Sequence, residues 1–463
     1  MKQSSQSPSK GSSSLAIVHE DAGALDIGAR EIFACVPRER DEQTVRAFGT
    51  FTADLHQLAD WLLRCQIKSV AMESTGVYWV PIFEILEACG IEVYLVDARQ
   101  LKQVPGRKSD VADCQWIQQL HTFGLLRRCF QAEEEMRALR ILVRQRESII
   151  RCRATHILHM QKALQMMNLQ LMQVVSDITG ETGLRILRAI LEGERNPHQL
   201  AHLRDGRCAR TEEEIAKALQ GSYKAEHLFA LRQAVEAYDF YQRQIVACDE
   251  EMRKLYAQMT PPPDSSTPPP TPPPPKKRSV TKNRAHFDLT DTLYRLVGVD
   301  LTAITGLNAL SVQAILGEIG LDMSHWPTVK HFCSWLGLAP RHEKSGGKVL
   351  HNRTLKTTNR ANNALRMAAQ SAGRTNTALG AFYRRLKAKH GPAKANVATA
   401  HKLARILYAM LKTRQPFAEL GVEQDSQQQK ERFLRQLSRK AKAVGMMLVP
   451  CNSEQQALPS PAT

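Results

Sequence analysis

Along residues 15–128, short apolar runs alternate with stretches whose apolar positions recur every three or four residues, which predicts strands alternating with amphipathic helices. The runs place strands around 22–37, 45–51, 68–73 and 92–97. The spacing of Leu55, Leu58, Trp61 and Leu62 predicts a helix over 52–66. Two more helices are predicted over 78–89 and 110–122, the last with Ser109 as its N-cap. An α/β domain with a mixed sheet is expected.

From Glu133 the period becomes a heptad. Met136, Val143, Ile150, Ile157, Leu164 and Leu171 form one seam, and Leu139, Arg146, Arg153, Met160 and Met167 the other. A second heptad runs through Leu228, Leu231, Val235, Tyr238, Gln242, Ile245 and Met252. Sustained seams predict coiled-coil helices. With a helical cap over 176–206 they allow an antiparallel arm, and equally a self-associating one. Arg146 and Arg153 weaken a two-stranded seam and are expected to snorkel or to face a partner. Residues 261–275 then hold ten prolines, followed by Lys276-Lys-Arg278, a semi-rigid polyproline II spacer.

Beyond the spacer, Leu296-Val-Gly-Val-Asp300, Ile304-Thr-Gly-Leu-Asn308 and Ser311–Ile319 predict helix, short glycine hairpin, helix, a shape that can offer backbone N–H groups to a phosphate. Residues 339–347 are expected to be a loop and 359–413 basic amphipathic helices. The expected division is a disordered 1–14, an α/β domain 15–128, a coiled-coil arm 129–260, a proline-rich linker 261–285, a basic helical domain 286–420 and a loosely ordered polar tail 421–463.

Charge sharpens this picture. The 463 residues carry a formal +17, and Arg341 to Arg414 alone holds 17 Lys or Arg against one acid, Glu343. Solvated faces mix signs, so a one-sign block points to a polyanion partner. Ten cysteines include no C-x-x-C pair, which argues against structural zinc and fits reduced thiols. No apolar run approaches the roughly 20 residues of a membrane span, and a cytoplasmic protein is expected.

The candidate chemistry is acidic. Asp26 lies in Gly23-Ala-Leu-Asp-Ile-Gly28, within an apolar strand that is expected to continue through Arg30-Glu-Ile-Phe-Ala-Cys35. Glu73 closes Ser69-Val-Ala-Met-Glu73, and Asp110 and Asp113 open a helix on one face. Taken singly, each has a plain structural reading as a turn, surface or helix-end acid. Gathered together they would repel unless a hard cation compensates them, which points to metal-assisted attack at a phosphodiester. Ser345, in Ser345-Gly-Gly347, has a hydroxyl that needs activation to act, beside glycines that admit a phosphate closely.

The order Asp26, Glu73, Asp110-x-x-Asp113, then Ser176-Asp-Ile-Thr-Gly-Glu-Thr-Gly183 and Ala189-Ile-Leu-Glu-Gly-Glu-Arg-Asn-Pro197, resembles the DEDD transposases of bacterial insertion sequences, the family numbered one hundred and ten. Trp335-Leu-Gly-Leu-Ala-Pro340 and Ser345-Gly-Gly347 are similar to that family's C-terminal domain. The resemblance implies a ribonuclease-H/RuvC-like first domain in which Asp26, Glu73, Asp110 and Asp113 hold Mg²⁺, as two ions. It implies a C-terminal domain with a helix-hairpin-helix and with Ser345 as the nucleophile. It also implies DNA as donor and target, a structured guide RNA, and assembly through the coiled coil as a dimer or tetramer. Lys108, Arg341, Lys344, Lys348, Arg353, Lys356 and Arg360 are the candidate nucleic-acid contacts. At Asn308, where the family commonly has a second Gly, a left-handed backbone is expected. The implied function is a transposase or site-specific recombinase acting at the nucleoid. The alternatives are a RuvC-type junction nuclease using water and a non-enzymatic nucleic-acid-binding protein.

Overall fold

The computed structural model describes residues 16–74, 76–101, 110–259, 282–354, 357–419 and 421–449. Residues 1–14, Ser109, Lys108, Lys356 and the proline-rich tract lie outside them. The chain divides into two compact units, 1–131 and 132–463.

The first unit is a five-stranded mixed sheet. Its elements are β1 (Ala22–Ile27), β2 (Glu31–Cys35), β3 (Val45–Gly49), α1 (Thr52–Arg64), β4 (Ser69–Glu73), α2 (Trp79–Ala88), β5 (Glu92–Val96), the short α3 (Ala98–Leu101) and α4 (Asp110–Thr122). The strand order is β3-β2-β1-β4-β5, with β1, β4 and β5 parallel and β2 and β3 antiparallel. Side chains alternate across a strand, and that alternation sorts the core into two layers. Leu25 and Met72 join α1 and α2 on one face, through Leu58, Leu62, Ile82 and Phe83. Ala24 and Ala71 face the other way, onto Cys114 and Ile117 of α4.

The strand expected to continue from Asp26 through Arg30 is instead a hairpin. β1 turns back at Gly28, whose N–H donates to Glu31 O at 2.9 Å, and Asp26 then pairs with Phe33. A Cβ on Gly28 would stand 2.8 Å from that carbonyl, so the turn needs glycine.

The second unit begins with α5 (Glu134–Met166) and continues through α6 (Leu171–Val174), α7 (Glu181–Glu192), α8 (Pro197–His202) and α9 (Glu212–Ala218) to α10 (Ala225–Met259). α5 and α10 run antiparallel, since Arg146 meets Asp249 while Arg153 meets Gln242. The four short helices between them close over one end in a core that includes Met160, Leu164, Ile186, Leu187, Leu200, Ile215 and Leu231. The two seam arginines neither snorkel nor wait for a partner. Arg146, 4% exposed, donates from Nε to Asp249 Oδ1 (2.6 Å) and from Nη2 to Oδ2 (3.2 Å), with Asn283 O and Arg284 O at 3.0 and 3.1 Å. Arg153 donates to Gln242 and, at 2.6 Å, to Asn283 Oδ1. The seam therefore holds the chain where it returns at 283–286.

The remaining elements are α11 (Leu289–Val297), a 3₁₀ turn (Leu301–Ala303), α12 (Ala309–Ile319), α13 (Val329–Trp335), β6 (Pro340–Ser345), β7 (Lys348–Thr354), α14 (Arg360–Gly373), α15 (Ala378–His390), α16 (Pro392–Thr413) and α17 (Val422–Ala443). α12 docks on α5, where Arg140 donates to Gly317 O (2.7 Å) and Glu318 O (3.2 Å) and so satisfies carbonyls at the end of α12.

Two expectations change here. Asn308 is not left-handed: its φ is −121°, and its side chain accepts the Ser311 N–H at 2.8 Å as the N-cap of α12. The positive φ belongs to Gly306, where a Cβ would meet Ala368 O at 2.3 Å. That turn uses glycine to pack against α14. Part of the tail from 421 is also helical, as α17.

Candidate active site

Parallel β1 and β4 are paired in register, Leu25 opposite Met72, so the next residues of each, Asp26 and Glu73, end adjacent strands side by side. By alternation both point to the α4 face, as Ala24 and Ala71 do. The carboxyl ends of parallel strands are where α/β sheets present ligand-binding groups. Asp110 is the first residue of α4 and Asp113 follows within its first turn.

α4 is held over β1 and β2 by Cys114. Its Sγ lies 3.1 Å from Phe33 O and 3.4 Å from Ala24 O, so the thiol donates to the backbone of these strands. One turn further along, Gln118 Nε2 donates to Ala22 O at 3.2 Å. These contacts fix the start of α4, and hence Asp110 and Asp113, relative to Asp26. Sequence reading passed over Cys114, although its position four residues after Asp110 places it on the same helical face.

The electrostatics register the assembly. Burial, followed by Asp110, Asp113 and Glu73 in that order, pushes the Asp26 carboxyl up to about 6 from its ordinary 3.8. A charge is felt through distance, so Asp110, Asp113 and Glu73 all lie near Asp26. They do not close into a cage: among the described residues, no three His, Cys, Asp or Glu stand close enough to hold a metal ion as placed.

Ser345 lies in the second unit and not in a loop. β6 and β7 form a hairpin in which Ser345 pairs with Lys348 across Gly346-Gly347. Both glycines have positive φ, 54° and 77°, the backbone of a two-residue type I′ turn. Ser345 is thus exposed beside the tip of a hairpin whose register shifts between Glu343 and Lys344, and it is followed by two residues without side chains.

Residues 24–168 match the family model of DEDD transposases of the IS110 type, described as transposase. Residues 300–384 match a second model, described as transposase, IS116/IS110/IS902 family. The chain belongs to the IS110 family of transposases. It is therefore a DNA transposase, an enzyme of strand transfer, which sets aside the non-enzymatic alternative. No curated protein matches the sequence.

In this transposase the first match covers the whole acidic quartet and the second covers Ser345. Transposases of the DEDD type are typically metal-dependent. Of the candidate nucleic-acid contacts, Arg341, Lys348 and Arg353 are exposed along the hairpin, and Lys344 lies in β6. Arg360 instead forms an ion pair with Glu147 at 2.5 Å. No helix among the described residues is long and apolar enough to cross a membrane.

Proposed function

We propose that this transposase cuts and rejoins DNA through a divalent-metal site made by Asp26, Glu73, Asp110 and Asp113 and a serine nucleophile, Ser345. The observation that carries the metal site is that Asp26 and Glu73 end adjacent, in-register parallel strands on the face covered by α4, which Asp110 and Asp113 open; burial, and after it the charges of these three acids, raise Asp26 accordingly. An all-carboxylate set fits a hard cation such as Mg²⁺, taken as two ions, in kind and in charge. When bound, Mg²⁺ supplies Lewis-acid polarisation of a phosphodiester. The mixed sheet, helices on both its faces, and acids at the ends of adjacent parallel strands support the ribonuclease-H/RuvC-like reading of the first unit.

Ser345 Oγ attacks phosphorus. The Oγ–P bond forms as a P–O bond of the DNA backbone breaks, and the released strand hydroxyl carries away the serine's proton. The phosphodiester's energy is kept in the protein–DNA bond, so joining to a new strand needs no external energy. Support for this role comes from the hairpin, which holds Ser345 out between open backbone, and from the family match over 300–384. The one-sign basic block supports DNA as donor and target and a structured guide RNA as partner. The long helix pair supports assembly through the arm as a dimer or tetramer.

A nicked or suicide DNA substrate tests the chemistry. The expected result is DNA attached to the peptide that contains Ser345, with no adduct from Ser345→Ala. Asp26→Asn should fold and bind DNA but leave it uncut. If wild type forms no adduct while Ser345→Ala cuts normally, water is the nucleophile and the enzyme is a RuvC-type nuclease.

A further inference from the structure

The acids stand at the carboxyl end of the sheet, and large apolar side chains lie open at the same end. Val77 is 72% and Tyr78 54% exposed, and Val111 of α4, the residue after Asp110, is 41% exposed. Apolar surface residues scattered singly need no explanation. Here two follow closely on Glu73 and the third lies between Asp110 and Asp113. Apolar surface therefore borders the acids both at the strand end and at the helix start.

The chain after Glu73 crosses from one face of the sheet to the other. By strand alternation Glu73 points to the α4 face, whereas α2, which begins at Trp79, sends Ile82 and Phe83 into the core of the opposite face. The turn between them is held at both ends. The N–H and Oγ of Ser74 both donate to Val96 O at 3.0 Å, and the Val80 N–H donates to Val77 O at 3.2 Å. Gly76 has a φ of 61°, and a Cβ there would stand 3.6 Å from Tyr78 Cδ2, so one edge of the ring rests against this turn. The rest of the ring is open, and among the described residues its hydroxyl has no hydrogen-bond partner.

The chemistry of the transposase says what such a ring meets. A DNA strand that lays a phosphate on the acids must carry its neighbouring nucleotides past the end of β4. Phosphates are ill matched to Val77 and Tyr78, whereas every nucleobase has a flat face that stacks on an aromatic ring. Inside a duplex both faces of a base are covered by its neighbours, so a base lying on Tyr78 has left the stack on that side.

We propose that Tyr78 stacks on the nucleobase next to the phosphate that is cut, and so holds that phosphate over Asp26, Glu73, Asp110 and Asp113. The inference rests on the strand-transfer reading and adds a substrate-contacting residue to it. The ring acts and the hydroxyl does not.

The test uses the full chain with Mg²⁺ and a suicide DNA substrate, intact or with the base removed on one or the other side of the cut. Cutting is measured at subsaturating DNA. Tyr78→Ala should cut the intact substrate about ten- to a hundredfold more slowly, the worth of one base–aromatic stack. Tyr78→Phe should match wild type. On the substrate that lacks the stacked base, wild type should fall to the rate of Tyr78→Ala, which loses nothing further. Removing the base on the other side should leave the ratio of the two enzymes unchanged. Iododeoxyuridine at the stacked position should crosslink to the peptide that contains Tyr78 in wild type and not in Tyr78→Ala. The same deficit of Tyr78→Ala on all three substrates would show a structural role and overturn the proposal. Tyr78→Ala cutting at the wild-type rate overturns it too, and leaves the apolar border to a protein contact. If wild type leaves the intact substrate uncut, the strand-transfer reading fails and the stacking role falls with it.

Discussion

His121 sits on the inner face of α4 with 1% of its surface exposed. Its Nε2 is 2.9 Å from Ser69 Oγ, and its ring stacks on His19 at 4.7 Å and leans on Tyr94 at 4.6 Å. Burial first, and the His19 ring second, push its pKa down to about 4 from 6.5. The folded state thus resists a proton that the unfolded chain accepts. The stability this contributes is fully present above 6.5 and is lost as pH falls through about 4. The shift corresponds to about 3 kcal/mol over that window. Asp26 has the opposite sign over much of the same range, since its raised pKa lets the folded state take up a proton first. The difference between two proteins, not the wild-type curve alone, is therefore informative. His121→Gln keeps a polar partner for Ser69 and removes the titration. In thermal melts taken between pH 7 and 4, the variant should lose less stability than wild type. Parallel curves would show that His121 does not carry the acid sensitivity.

At the scale of elements, the helix pair α5–α10 is organised around a buried charge. Asp249, 1% exposed, accepts both from Arg146 and from the His286 N–H at 3.1 Å, so it joins α10 to α5 and to the chain returning at 283–286. Asp249→Ala leaves Arg146 buried and unpaired and should cost about 3–5 kcal/mol. It should also speed hydrogen exchange at the His286 amide. A variant that melts with wild type and protects that amide equally would make the ion pair dispensable. Seam spacing alone marked Arg146 and Arg153 as inward-facing, because a period of three or four reports which face of a helix is buried. It could not name Asp249, which lies 103 residues away in sequence. The same boundary recurs elsewhere. Apolar runs marked four strand segments, and the division of the first into β1 folded back onto β2 depends on one close approach at Gly28. Composition marked 339–347 as a loop, while the pairing of Ser345 with Lys348 that makes it a hairpin tip is a matter of cross-strand register. The acids of the quartet were each visible. What places them near one another is the parallel pairing of β1 with β4 and the anchoring of α4 by Cys114.

Across the whole molecule, charge is segregated. Nearly all of the +17 lies between Arg341 and Arg414, and the structure spreads this segment over the hairpin, α14, α15 and α16, which keep an apolar core of Leu365, Leu403 and Leu407 on one side. Helices that bury one face and carry cations of a single sign on the other repel one another unless a polyanion lies across them. Some of these cations are already committed: Arg360 to Glu147, and Arg384 to the carbonyls of Gly373 and Thr375 at 3.2 and 2.6 Å. Lys387, Lys389 and Lys394 are exposed and cluster around the turn from α15 to α16. If they contact phosphates, each releases a counterion on binding, and replacing all three by Gln should reduce the slope of log K against log salt by about 2.7 on duplex DNA. Because the apolar face of these helices is untouched, the triple variant should melt as wild type does. Binding isotherms between 50 and 200 mM salt, a range over which six to ten contacts cost roughly 10³–10⁵ in affinity, decide the matter. A slope unchanged in the triple variant would move the nucleic acid off this face. A reduced slope with uniform loss across DNA sequences would make the turn between α15 and α16 a backbone contact, leaving sequence to be read elsewhere.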